Sequence, residues 1–140
     1  RSKKSVVGGN QKVKNATRVV YDGIQFRSKL ERYMYQQLKD AGFNFEYEKH
    51  KLVIFEKFEY LGEKVREITN LPDFLVYIDG KTVIVETKGR QNDSFPIRLK
   101  LIKKYLVDKG LNWPYLMPRN QQDCRDVIVK LTKFKENGQM

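Results

Sequence analysis

The chain has 140 residues, with 28 Lys and Arg against 17 Asp and Glu, a formal net charge of +11, and 40% hydrophobic residues. That composition fits one folded domain with a modest core and excludes an intrinsically disordered chain. The surplus of positive charge calls for a polyanionic partner, most simply nucleic acid. A membrane surface ranks lower as that partner, because no long basic amphipathic helix with an aromatic face is apparent. No apolar run approaches the roughly 18 residues of a transmembrane helix. The basic, polar N-terminus lacks the apolar stretch of a signal peptide. Cys124 is the only cysteine, which suits a reducing cytoplasm and rules out an intrachain disulfide or a cysteine-based zinc site.

Residues 1–18 contain Arg1, Lys3, Lys4, Lys12, Lys14 and Arg18 and no acid, with Gly8-Gly9-Asn10 among them. They read as a flexible basic arm ahead of a single domain over residues 19–140. The alternative is a solvated terminus without a role. Counterion release rewards such arms on DNA, so Lys3, Lys4, Lys12, Lys14 and Arg18, with Arg27 beyond them, are candidate DNA contacts. A short strand is expected within residues 16–21. A helix is expected from about Ser28 to Asp40, its apolar stripe formed by Leu30, Met34, Leu38 and Ala41, with Gly42 as its stop. Glu31 falls in its first turn at the edge of that stripe. By itself such an acid is better explained as a surface match to the helix dipole.

Residues 45–58 read as one long strand in which Phe45 and Tyr47 alternate with Glu46 and Glu48. Leu61-Gly62-Glu63-Lys64 reads as a turn and residues 65–69 as a returning strand. Further on, Ser94, Pro96 and Gly110 mark the cap, first turn and stop of a helix. Ile97, Leu101, Ile102, Tyr105 and Leu106 are its expected core-facing positions. Residues 113–117 suit a short strand and residues 122–136 a last helix, with Val127, Ile128 and Leu131 inward. His50 is the only histidine, so a two-histidine metal motif cannot be built. No phosphate-binding glycine loop is present.

The most informative stretch is Leu71-Pro72-Asp73-Phe74, followed by Val83-Ile84-Val85-Glu86-Thr87-Lys88-Gly89. Asp79-Gly80 between them is a two-residue hairpin signal. Ile78 then faces Lys81, and the same register carried outward sets Asp73 opposite Glu86 on one face. Lys88 follows two residues later on that face. Facing acids repel, so the pair reads either as a site for a hard divalent cation or as a solvated ladder of charges.

Pro72-Asp73, a spacer, then Glu86-Thr87-Lys88 resembles the PD-(D/E)xK nuclease signature. The surrounding order sharpens the likeness: Phe26-Arg27-Ser28-Lys29-Leu30-Glu31, Gly42-Phe43-Asn44-Phe45-Glu46-Tyr47-Glu48, Pro72-Asp73-Phe74-Leu75, Val85-Glu86-Thr87-Lys88-Gly89. This succession resembles the phage endonuclease I type of Holliday-junction resolvase over roughly residues 18–118. The resemblance implies an α/β, restriction-endonuclease-like mixed β-sheet core flanked by helices. It implies catalytic Glu31, Asp73, Glu86 and Lys88, with Mg²⁺ held by Asp73, Glu86, Thr87 and Glu31 and Mn²⁺ as a substitute. It further implies cleavage of branched DNA by a homodimer and a phage-encoded protein working in the bacterial cytoplasm. A PD-(D/E)xK nuclease acting on linear duplex and a catalytically silent DNA-binding module are the competing expectations.

Overall fold

The computed structural model describes residues 19–89 and 94–138. It is a mixed α/β protein. A hairpin, β1 (Val19–Tyr21) and β2 (Ile24–Phe26), leads into helix α1 (Lys29–Asp40) and strand β3 (Asn44–Tyr47). Four short strands follow: β4 (Leu52–Phe55), β5 (Phe58–Tyr60), β6 (Glu63–Val65) and β7 (Ile68–Asn70). The central hairpin is β8 (Phe74–Ile78) and β9 (Lys81–Val85). Helix α2 (Phe95–Asp108), strand β10 (Tyr115–Leu116) and helix α3 (Gln121–Asn137) complete the described chain.

The main sheet has the order β10-β9-β8-β3, with β9 and β10 parallel and the other pairs antiparallel. The pairs β1–β2, β4–β7 and β5–β6 form small separate sheets. The β8–β9 register is the expected one, Ile78 facing Lys81 and Phe74 facing Val85. Asp79 and Gly80 both take positive φ, 49° and 81°, as a tight turn between twisted strands requires. Asp tolerates that region better than most residues, because its short side chain bonds locally.

Both faces of the sheet are covered, so its central strands are apolar at nearly every position. Phe74, Val76, Val83 and Val85 pack on one face with Met34 and Leu38 of α1 and Val127 and Leu131 of α3. Leu75 and Ile84 pack on the other with Ile102 and Leu106 of α2 and Leu52 and Ile54 of β4. Burying each such side chain contributes about 1.5–3 kcal/mol. The first cluster holds β8 and β9 against α1, and the acids converge at the open end of that hairpin.

The structure corrects three expectations. Residues 45–58 are not one strand: the chain leaves the sheet at Glu48, whose φ is 48°, and resumes as β4 and β5. The Glu48 amide still donates to the Asp73 carbonyl at 2.8 Å, one step beyond the Tyr47–Phe74 pair, so the break falls at Glu48 itself. The returning strand is likewise split into β6 and β7, and the turn before it is only Leu61-Gly62. Ile97 does not face the core; it is 66% exposed, while Phe95, Ile102 and Leu106 are the buried positions of α2. The expected strand over residues 16–21 is described only from Val19, and the basic arm lies outside the described residues.

Candidate metal centre

Helix α1 delivers Glu31. Ser28 has extended backbone and its Oγ accepts from the Glu31 amide at 3.1 Å, so the cap fixes the first turn in place. Glu31 is only 8% exposed. Its Oε1 accepts a 2.5 Å hydrogen bond from the Tyr47 hydroxyl at the end of β3. Burial together with the carboxylate raises the Tyr47 pKa well above the ordinary phenol value, so Tyr47 remains a donor.

Pro72 and Asp73 precede β8, and Asp73 is 5% exposed. Its Oδ2 accepts from the Thr87 amide at 2.9 Å and the Thr87 hydroxyl at 2.8 Å. Glu86 follows β9; its Oε1 accepts from the Asp73 amide at 3.2 Å. The two acids therefore lock the open end of the hairpin through side-chain-to-backbone bonds. The ladder beside them continues through backbone bonds from Glu86 to Leu116 (2.8 Å) and from Lys88 to Pro118 (2.9 Å). The Lys88 Nζ lies 4.7 Å from the centre of the Phe95 ring, a cation–π contact that steadies it beside the site.

Glu48 is the residue that the sequence did not single out. Carboxylate oxygens of Glu31, Glu48 and Asp73 all lie within 4.8 Å of one another. Its Oε2 is 2.6 Å from Arg27 Nη2, yet this buried oxygen makes no aligned hydrogen bond. A carboxylate among other acids, ion-paired with Arg27 at the rim, offers the kind of oxygen ligand that a hard cation takes. The only sequence signal was Glu48 itself in the Phe45-Glu46-Tyr47-Glu48 alternation, which assigned it to a strand face. Its neighbour Glu46 goes elsewhere, accepting from Tyr77 at 2.7 Å and lying 2.7 Å from His50 Nε2.

The electrostatics follow from burial. Desolvation, then the field of Glu31, pushes the Asp73 carboxyl up to about 7, against the pull of its two Thr87 bonds. Desolvation, then the charge of Asp73, pushes Glu86 up to about 8, while the Asp73 amide and Lys88 act the other way. The Arg27 pKa is raised: burial opposes this, but Glu48 and Glu31 outweigh it. Acids crowded this way disfavour their own ionisation, and a bound cation relieves that cost.

The donor set of the cluster is all oxygen. It contains neither cysteine nor histidine, and so suits a hard divalent ion rather than zinc. The triad of buried Glu31 and Asp73 with half-buried Glu48 can hold such an ion. Asp73 joins Glu31 in this cluster and is bonded to Glu86 and Thr87, with Lys88 near Glu86, but the Glu86 carboxylate is not one of the three clustered groups. Arg27 is occupied by Glu48 at the rim. Lys3, Lys4, Lys12, Lys14 and Arg18 lie outside the described residues.

Among the described residues no helix is long and apolar enough to cross a membrane. No curated protein matches the chain. The chain belongs to the family described as protein of unknown function (DUF1064), whose family model matches residues 11–121.

Proposed function

We propose that this protein is a metal-dependent, structure-selective DNA endonuclease that cuts phosphodiesters in branched DNA as a homodimer. The observation that carries the reading is the convergence of Glu31, Glu48 and Asp73 carboxylates with Glu86 and Lys88 at one end of a buried hairpin. Buried acids with strongly raised pKa values and a specific charge partner are candidates for a functional site. The net charge of +11 supports a polyanionic substrate. Both faces of the sheet carry helices, as a restriction-endonuclease-like core would.

Glu31, Glu48, Asp73 and Glu86 would hold Mg²⁺, or Mn²⁺ in its place. When bound, the ion supplies Lewis-acid activation of water and neutralises charge on the phosphoryl oxygens. The protein's own residues set the stage for that chemistry. Thr87 fixes the Asp73 carboxylate by two bonds, and the Asp73 amide fixes Glu86. Tyr47 holds Glu31 in one orientation. Lys88 adds a positive charge beside Glu86, directed to the water or to the developing oxyanion.

The test is cleavage of a four-way junction against the matching linear duplex, in Mg²⁺ and in chelator. Cutting that depends on Mg²⁺ and favours the junction is the expected result. Equal cutting of both DNAs replaces the resolvase reading with a general nuclease. Binding without any cleavage leaves a silent DNA-binding module.

A further inference from the structure

Arg27 sits where the candidate metal centre meets solvent, between β2 and α1. Its backbone is anchored on both sides. Phe26 before it is fully buried with Met34 and Tyr35 of α1, and Ser28 after it caps α1 through the Glu31 amide. Its side chain is 59% exposed, against 19% for that of Glu48, its partner in a 2.6 Å ion pair. The freedom at this position therefore lies in the guanidinium and not in the chain that carries it.

The guanidinium is held by the centre as a whole. Burial works against its charge, and Glu48, Glu31, Tyr47 and Asp73 together outweigh burial. Three of those four are the acids whose oxygens lie within 4.8 Å of one another. Arg27 and a divalent ion are thus rivals for the same negative charge, and Glu48 is the acid over which they compete. Glu31 and Asp73 have neutral donors, Tyr47 and Thr87, whereas the Glu48 carboxylate is held by Arg27. A pair with an exposed guanidinium is a weak tie, while a hard divalent ion takes carboxylate oxygens directly. Ligation through Glu48 removes the charge that holds Arg27 and sets a second cation beside it. An arginine cannot answer by losing its proton. The fork of donors that fits a carboxylate also fits a phosphate.

We propose that Arg27 is a phosphate-binding residue whose availability is set by the metal centre: it pairs with Glu48 until a divalent ion takes that carboxylate, and then turns to a DNA phosphate. The proposal rests on the metal centre and the DNA substrate of the proposed function, but not on cleavage. It makes ion binding and DNA binding cooperative, each tightening the other by the same factor.

The experiment measures binding of a four-way junction against salt, once in chelator and once with Ca²⁺, a hard oxygen-liganded ion. From chelator to Ca²⁺, the slope of log K against log salt should steepen in wild type by about 0.9 more than in Arg27→Gln, the equivalent of one phosphate. Competition of free Ca²⁺ for the DNA is common to both proteins and cancels in that difference. Glu48→Gln should show the steeper slope already in chelator, and adding Arg27→Gln to it should remove the gain. Lys49→Gln, which removes an exposed charge beside Glu48 in sequence, should alter both conditions alike. Arg27→Gln and Lys49→Gln change exposed side chains and keep the wild-type circular dichroism. A slope change equal in wild type and Arg27→Gln overturns the proposal. So does a loss in Arg27→Gln that is the same in chelator and in Ca²⁺, which places Arg27 on phosphate throughout. Calorimetry showing no Ca²⁺ binding to wild type removes the metal centre and this proposal with it, and absence of junction binding also overturns it. If the slopes behave as stated but no DNA is cut in Mg²⁺, the nuclease reading alone falls.

Discussion

The Asp73 amide donates to the Glu86 Oε1 at 3.2 Å, while the Asp73 Oδ2 accepts from Thr87, the residue after Glu86. Each strand end thus holds the other's acid. The hairpin presents two carboxylates in a fixed relation, close enough that the charge of Asp73 raises the cost of ionising Glu86.

Asp73→Asn and Glu86→Gln should each lower cleavage by at least about a hundredfold, because charge stabilisation by a correctly held ion is worth several kcal/mol. Binding of a four-way junction should be unchanged or tighter, since repulsion toward phosphate is removed. Gel-shift titration beside single-turnover cleavage checks both halves. Substantial turnover in both variants with excess Mg²⁺ would remove these residues from the chemistry.

The metal-free protein should lose stability as pH rises through this site. The Asp73 and Glu86 carboxyls move from 3.8 and 4.5 to about 7 and about 8 on folding. The folded state therefore binds more protons, so the slope of unfolding free energy against pH is negative between those values. The contribution is full below about pH 4 and is lost by about pH 8. Melting curves of wild type against Asp73→Asn, in chelator, isolate it: the variant should gain on wild type as pH rises. Mg²⁺ should narrow the gap by stabilising wild type, as any ligand of the folded state does. A gap that is constant with pH would refute the assignment.

Lys88→Ala should lose most activity yet still bind a divalent ion, because a protonated lysine offers a cation no ligand. Calorimetric titration with Mn²⁺ separates the two effects. Loss of ion binding in this variant would show that Lys88 organises the acids rather than acting on the substrate.

Glu48→Gln should weaken Mn²⁺ binding by about tenfold or more, on the scale of perturbing a metal's ligand shell. Glu46→Gln, two residues away, should not, because Glu46 is engaged with Tyr77 and His50. Equal effects of the two substitutions would mean that only net charge matters and that Glu48 has no place in the centre.

The amino-acid sequence by itself determined whatever depends on short-range chemistry. Asp79-Gly80 sets the β8–β9 register through a local turn, and with it the opposition of Asp73 and Glu86. Ser28 caps α1 within three residues of Glu31, and Asn120 caps α3 in the same way through the Asp123 amide. The tertiary structure decided what depends on contacts between distant segments. Glu48 ends the expected strand with a left-handed φ of 48°, one step beyond the Tyr47–Phe74 pair, a break that no local periodicity signals. Its side chain consequently joins Glu31 and Asp73 rather than a strand face. Ile97 fits a helical stripe in sequence, but Ile102 and Leu106 occupy the space against β4 and the sheet, so it stays in solvent. Turn and capping energies are resolved within a few residues of sequence; which of several apolar or acidic side chains is buried is settled only by competition for one packed interior.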